Sequence, residues 1–172
     1  LFVEGTDKMY YLTVMNETYK QPAMPKGVEE GILKGMYRLD EAEGKSPAVV
    51  LLGSGAILNE SRKARQMLAA DFDVDAEVWS VPSWQQLYQD ATAVERKTRL
   101  DPKADGRTSY IAECFPEEQV FVAATDYVKA LPLSVATFFP GSFTALGTDG
   151  FGRSDNRGAL RDYFEVDARH IV

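Results

Sequence analysis

Short blocks of apolar residues alternate along the chain with longer stretches whose apolar positions recur every three or four residues. Residues 9–15, Met-Tyr-Tyr-Leu-Thr-Val-Met, are β-branched and aromatic and predict a buried strand. The next dozen residues, from Asn16 through Pro22 and Pro25 to Gly27, lack periodicity; each proline removes a ladder donor and pushes its predecessor to extended geometry. A strand followed by such a linker predicts the end of a preceding domain, so a boundary is placed at residue 26, with residues 27–172 forming the main domain.

Beyond the boundary the alternation becomes regular. Val28 to Lys34 predicts a short helical turn ended by Gly35, and Met36 to Ala42 alternates as a half-exposed edge strand does. Ala48 to Leu52 is a continuous apolar run, the mark of a strand covered on both faces. Gly53-Ser54-Gly55 turns the chain into a helix with Ile57, Ala64, Met67 and Leu68 on one side. Ala76 to Val81 predicts the next strand. Ser83 then caps a helix whose packed face carries Trp84, Leu87, Tyr88, Ala91 and Val94, with the cations of Glu95–Arg99 near its carboxy end.

Asp101 to Thr108 reads as loop, Val120 to Ala124 as another strand covered on both faces, and a helix is expected after Asp126, shortened or kinked by Pro132. Phe143 to Leu146 predicts the last strand, followed by a glycine-rich loop and a helix bearing Leu160, Tyr163 and Phe164. Strands alternating with amphipathic helices imply an α/β fold, a mostly parallel sheet with helices on both faces.

With 172 residues, 45% of them hydrophobic, the chain can bury a core without disulfides. A formal charge of −7 argues against a nucleic-acid or anionic membrane partner, and no apolar run is long enough to span a bilayer. The chain opens Leu1-Phe-Val-Glu-Gly with neither initiator Met nor basic leader, which suits an excised piece. A single cysteine, Cys114 in an apolar setting, suits a reducing cytoplasm and a packing role. The single histidine, His170, leaves zinc sets and Ser-His or Cys-His pairs without partners and reads as a surface residue. The many carboxylates form no acid–base pair, and Asp73 and Asp75 are too sparse for a calcium loop.

Two glycine motifs stand out. Gly53-Ser54-Gly55-Ala-Ile-Leu58 imitates a dinucleotide fingerprint, but Leu58 replaces the third glycine and no acid ends the next strand. A tight strand-to-helix turn is the plainer reading; a nucleotide- or anion-binding Rossmann-like domain is the alternative. The loop Gly147-Thr-Asp149-Gly150-Phe151-Gly-Arg153-Ser154-Asp155 reads equally as a capping turn, with Ser154 or Asp155 as cap, or as a loop docking on another domain or subunit. An exposed Phe151 would be costly, so it is expected to pack against something.

These segments taken together carry a resemblance. Tyr10 to Tyr19, Pro22-Ala-Met-Pro25, Glu29 to Gly35, Leu51 to Leu58, Ala124-Thr-Asp-Tyr127, Leu146 to Asp155 and Phe164-Glu-Val-Asp167 resemble the homodimeric bacterial pyruvate dehydrogenases. Phe151-Gly152-x-Ser154 is similar to the matching loop of transketolases. The resemblance implies a carboxy-terminal transketolase-like domain: a three-layer α/β/α fold around a five-stranded mixed, mostly parallel sheet whose first strand is antiparallel. Residues 1–26 would then be the last strand and exit linker of a pyrimidine-binding domain.

The resemblance further implies a whole enzyme that decarboxylates pyruvate on thiamine diphosphate with Mg²⁺ and passes acetyl to lipoyl groups of a dihydrolipoyl acetyltransferase partner. The family's metal motif, Gly-Asp-Gly with an asparagine well downstream, has only Thr148-Asp149-Gly150 as a near match, and Asn156 is too close. No catalytic residue, cofactor-binding residue or metal ligand is therefore assigned to this piece, which is expected to be structural, dimer-forming and inactive alone. Interface or active-site-proximal positions are Asn16, Glu17 and Tyr19 in the linker, and Asp149, Gly150, Phe151, Arg153, Ser154 and Asp155 in the loop.

Overall fold

A computed structural model of the chain describes residues 5, 7, 9, 17–44, 47–101, 103, 106 and 108–172. Apart from Met9, the strand expected over residues 9–15 lies outside the described residues, as does Asn16, and the loop expected over 101–108 is described only in part.

Residues 17–28 contain no regular element. Helix α1 (Glu29–Lys34) opens on Glu29 and Glu30 and stops at Gly35, whose φ of 107° lets its N–H bond the carbonyls of Gly31 and Ile32. A Cβ at Gly35 would lie 2.6 Å from the carbonyl oxygen of Ser83, so glycine is required there by space as well as by conformation. Strand β1 (Tyr37–Asp40) and strand β2 (Val49–Gly53) follow, and a 3-10 turn over Gly55–Ile57 leads into helix α2 (Leu58–Phe72). Strand β3 (Ala76–Ser80) precedes helix α3 (Trp84–Leu100), which Ser83 caps by accepting from the amide of Gln86.

The short helix α4 (Tyr110–Cys114) was not anticipated from the sequence; it is capped by Ser109, which accepts from the amide of Ala112. Strand β4 (Gln119–Ala124) leads to helix α5 (Ala130–Leu133), four residues long with Pro132 inside it, as the proline predicts. Strand β5 (Gly141–Leu146), helix α6 (Arg157–Tyr163) and helix α7 (Ala168–Ile171) complete the chain, α7 also being unanticipated.

The five strands form one sheet in the order β1-β3-β2-β4-β5. Only β1 runs antiparallel, against β3, with its register shifting between Arg38 and Asp40; the other pairings are parallel. The predicted three-layer fold and its antiparallel edge are both present. Successive residues of the central strands enter different cores: Val50 and Leu52 pack beneath α3 and α4 with Trp84, Leu87, Ile111 and Phe115, while Leu51 packs beneath α2 and α7 with Ala64, Leu68 and Ile171. Trp79, Phe115, Phe121, Phe139 and Phe143 form a cluster of tilted, edge-to-face and stacked rings with centroid separations of 4.7–6.4 Å.

Three expected burials fail at the margins. Val120 is 45% exposed because it lies near the start of β4, before both covering layers close. Tyr88 is 45% exposed at the rim of the α3 face, and Tyr163 is 58% exposed at the carboxy end of the short α6. No described helix is long and apolar enough to cross a membrane.

Candidate functional site

The chain steps from β2 to β3 on one side and, after α4, returns to pair β4 with β2 on the other. In open α/β sheets the crevice at such a reversal, outside the carboxy ends of the strands, is where ligands and partners collect. Here its floor is tied shut. Ser54 Oγ donates to Thr125 Oγ1 over 2.8 Å, accepts from Trp84 Nε1 at 3.3 Å, and both hydroxyl residues are buried. The amide of Tyr127 also donates to Thr125 Oγ1 at 3.2 Å.

This arrangement corrects the nucleotide-binding alternative. Gly55 has φ +57°, but what faces it is the carboxyl group of Asp126, whose Oδ1 would lie 3.1 Å from a Cβ at that position. A phosphate brought to Gly53-Ser54-Gly55 would meet a carboxylate, and the serine hydroxyl is already committed. The glycines serve the tight turn: a Cβ at Gly53 would lie 2.7 Å from Leu58 Cα.

Above the floor lies a cleft of about 360 Å³ whose apolar walls include Ile57, Leu160, Phe164 and Val166. Asp126, Thr148, Arg153, Arg157 and Arg161 are its polar lining residues. Asp126 Oδ1 is buried without a hydrogen-bond partner, and burial raises the pKa of this carboxyl. The arginines are engaged at the rim. Glu17 Oε2 accepts from Arg161 Nη2 at 2.7 Å and pairs with Arg157 Nε at 3.0 Å. Arg161 also reaches Glu60 Oε1 at 3.5 Å, and the other oxygen of this buried carboxylate accepts from the amide of Ala168 at the start of α7. A charge network thus joins the linker, α6, α2 and α7.

Of the expected interface residues, Arg153 lines this cleft and Glu17 pairs with Arg157 and Arg161, which also line it; Tyr19 is half-buried. Asp149 Oδ1 accepts from the amide of Lys129 at 2.8 Å, and the amide of Thr148 donates to the carbonyl of Tyr127, so the loops after β4 and β5 are laced together. Gly150 has φ +84° and Phe151 is 94% exposed, so the ring is not packed among the described residues. Arg153 donates to Tyr163 Oη at 3.0 Å and lies over that ring. Ser154 and Asp155 are exposed, and neither caps α6: Asn156 does, accepting from the amide of Ala159 at 3.0 Å, while Asp155 accepts from Asn156.

Asp162, Asp167 and His170 cluster within metal-binding distance of one another, but Arg169 already bridges the two carboxylates at 2.6 and 2.8 Å and His170 Nδ1 lies 2.7 Å from Asp167. Cys114 is half-buried rather than fully buried, and burial raises its thiol pKa, which suits an inert packing residue. The Thr148-Asp149-Gly150 segment does not fit a Mg²⁺-diphosphate group: both Asp149 oxygens face Lys129, Oδ1 at its amide and Oδ2 3.9 Å from its ammonium, and no second oxygen ligand set stands beside them among the described residues.

Sequence reasoning overlooked Asp126, Arg157, Arg161 and Glu60. The spacing of Arg157 and Arg161, one helical turn apart, was a legible sign of a shared basic face. Nothing local marks Asp126 or Glu60, whose environments are built by elements far away in the chain.

Residues 35–167 match the family described as the transketolase-like TK C-terminal domain. Curated relatives include the pyruvate dehydrogenase E1 component of Pseudomonas aeruginosa, 49% identical over 98% of this chain and 20% of that protein. Those of Escherichia coli K12 and Mycolicibacterium smegmatis are 47% and 37% identical, each over 95% of this chain and 18% of the relative. The chain therefore spans about a fifth of the length of the relatives it matches. Among solved structures, transketolase from Leishmania mexicana superposes with a TM-score of 0.56 at 19% identity, covering 83% of this chain and 17% of that one, a likeness of fold. The chain belongs to the transketolase-like C-terminal domain family.

Proposed function

We propose that this chain is the carboxy-terminal part of a pyruvate dehydrogenase E1 component, an enzyme that oxidatively decarboxylates pyruvate on thiamine diphosphate and Mg²⁺ and transfers acetyl to lipoyl groups of a dihydrolipoyl acetyltransferase. The observation that carries this reading is the match at 49% identity across nearly the whole chain to one region of a much longer E1 component. In this reading residues 1–26 end the pyrimidine-binding domain and 27–172 form the terminal domain. The cofactor and its metal are held by domains outside these residues. The domain is structural: it contributes packing and contacts of a cytoplasmic homodimer, with Asp149–Asp155 at an interface and Glu17 and Tyr19 towards the active-site side. The poor fit of Thr148-Asp149-Gly150 to a diphosphate–metal group supports a non-catalytic role.

Calorimetry and a decarboxylation assay test this. Residues 1–172 alone are expected to bind no thiamine diphosphate and turn over no pyruvate, whereas the same residues in a complete E1 polypeptide should support turnover. Tight cofactor binding by the isolated chain overturns the assignment.

A further inference from the structure

We infer that residues 17–28 form a strap, hinged at Gly27 and latched through Glu17 to Arg157 and Arg161, that opens and closes while the rest of the domain stays folded. The strap is a property of this chain alone and goes beyond the enzymatic assignment above. It places with this domain a segment that a boundary at residue 26 leaves mostly outside it.

The segment has no regular element, and none of its residues is fully buried. Beyond Glu17 its half-buried positions, Tyr19, Pro22, Pro25 and Val28, fall at every third residue, and the residues between them are exposed. Three residues per turn is the period of a polyproline II helix, a conformation that Pro22 and Pro25 favour and that has no hydrogen bonds of its own. One edge of the strap therefore rests on the domain while its backbone is left to water. Pro25 and Val28 line a cleft together with Tyr37, Arg38, Trp79 and Tyr110.

The two ends are held differently. Gly27 has φ +79°, and no described atom lies within 4 Å of where a Cβ would stand, so glycine is needed there for conformation and not for room. Just beyond it the carbonyl of Val28 accepts from the amide of Ile32 at 2.9 Å, which fixes the chain to α1. At the other end the hold is electrostatic: Glu17 Oε2 meets Arg157 Nε at 3.0 Å and Arg161 Nη2 at 2.7 Å. Those two cations stand one turn apart on α6. Arg161 also keeps Glu60, so withdrawal of Glu17 leaves this guanidinium paired. Opening thus costs a partly exposed ion pair and a half-buried stripe, not the core. From Tyr19 to Val28, at about 3.1 Å per residue, it releases about 28 Å of slack at the entry to α1.

Lys20, exposed within the strap, makes opening measurable. Residues 1–172 are digested briefly with a lysine-specific protease, and the cleavage rate after Lys20 is divided by that of a free peptide of residues 17–28. Cleavage under native conditions should hardly change with urea below the unfolding transition, because little surface is exposed on opening. Cleavage after Lys63, inside α2, should climb with urea instead. Glu17→Gln should speed cleavage after Lys20 roughly three- to fivefold. Raising NaCl from about 0.02 M to about 0.5 M should do the same to the unmodified chain and nothing further to the variant. The salt series on the unmodified chain decides the matter should the variant fold poorly. Cleavage after Lys20 that climbs with urea in step with Lys63 overturns the strap as a separately moving unit. Equal rates in the variant and the unmodified chain, or a rate indifferent to salt, overturn the latch. A chain cleaved as fast as the free peptide has no closed strap, which overturns the inference as well.

Discussion

Ser54 and Thr125 lie 71 positions apart in sequence, and their hydroxyl groups meet at 2.8 Å between the carboxy ends of β2 and β4. The bond closes the point where the sheet's connections reverse, and it converts what resembles a nucleotide-binding turn into a structural seam.

Ser54→Ala removes the acceptor of buried Trp84 Nε1 and the donor to Thr125 Oγ1, which keeps only the Tyr127 amide. Urea unfolding should show a loss of about 1–3 kcal/mol. The double variant with Thr125→Val should cost less than the sum of the singles, because each single change already breaks the shared bond. Additive losses would mean that the two hydroxyls are not coupled.

Asp126 should make the isolated chain less stable as it ionises. Burial raises its folded-state pKa, so the folded form holds its proton more tightly than the unfolded form does. Its stabilising contribution is complete below the unfolded pKa and is lost as pH rises through the folded value. Asp126→Asn should therefore raise Tm at pH 7 and leave it nearly unchanged at pH 3. A gain of equal size at both pH values would contradict the account.

Asp167 has the opposite sign. Burial acts to raise its pKa, but the hydrogen bonds from Arg169 and His170 outweigh it and hold the carboxyl at about 2. The stabilisation is present above the unfolded value and disappears as pH falls through the folded one. Asp167→Ala also removes the α7 cap and should cost about 1–2 kcal/mol at pH 7. The gap to the unmodified chain should narrow between roughly pH 4 and pH 2, as acid titrations of both proteins followed by circular dichroism would show.

Glu17 and Glu60 share Arg161 but differ in depth. Glu60 is 5% exposed, pairs with both Arg161 and Lys63 and also serves the amide of Ala168, so Glu60→Gln removes the buried charge on which these groups converge and should cost about 3 kcal/mol or more. Glu17 is more open, and Glu17→Gln should cost about 1 kcal/mol or less. Denaturant midpoints of the two variants compare them directly, and a larger loss at Glu17 would reverse this ranking.

Much of the fold was legible in the chain. The continuous apolar run at Ala48–Leu52 announced a strand covered twice, because alternate side chains of a central strand must both be buried. Gly35 and Ser83 announced a helix end and a helix start, since their effects act within one turn of backbone. The short α4 and α7 escaped notice because four or five residues carry too little periodicity to separate a helical turn from a loop.

The site was legible only in outline. The glycine-rich loop after β5 could be picked out as conspicuous, but composition could not say that Phe151 stands in solvent or that Asn156, not its neighbours, is the cap. The sequence alone determined the order and kind of the elements, because local backbone preference and hydrophobic period are properties of neighbouring residues. Tertiary structure alone decided that Asp126 faces Gly55, that Glu17 meets Arg161 across 144 positions, and that Ser54 is spent on Thr125. The burial and pairing of a polar group depend on which distant strand ends are brought side by side, and no local pattern encodes that.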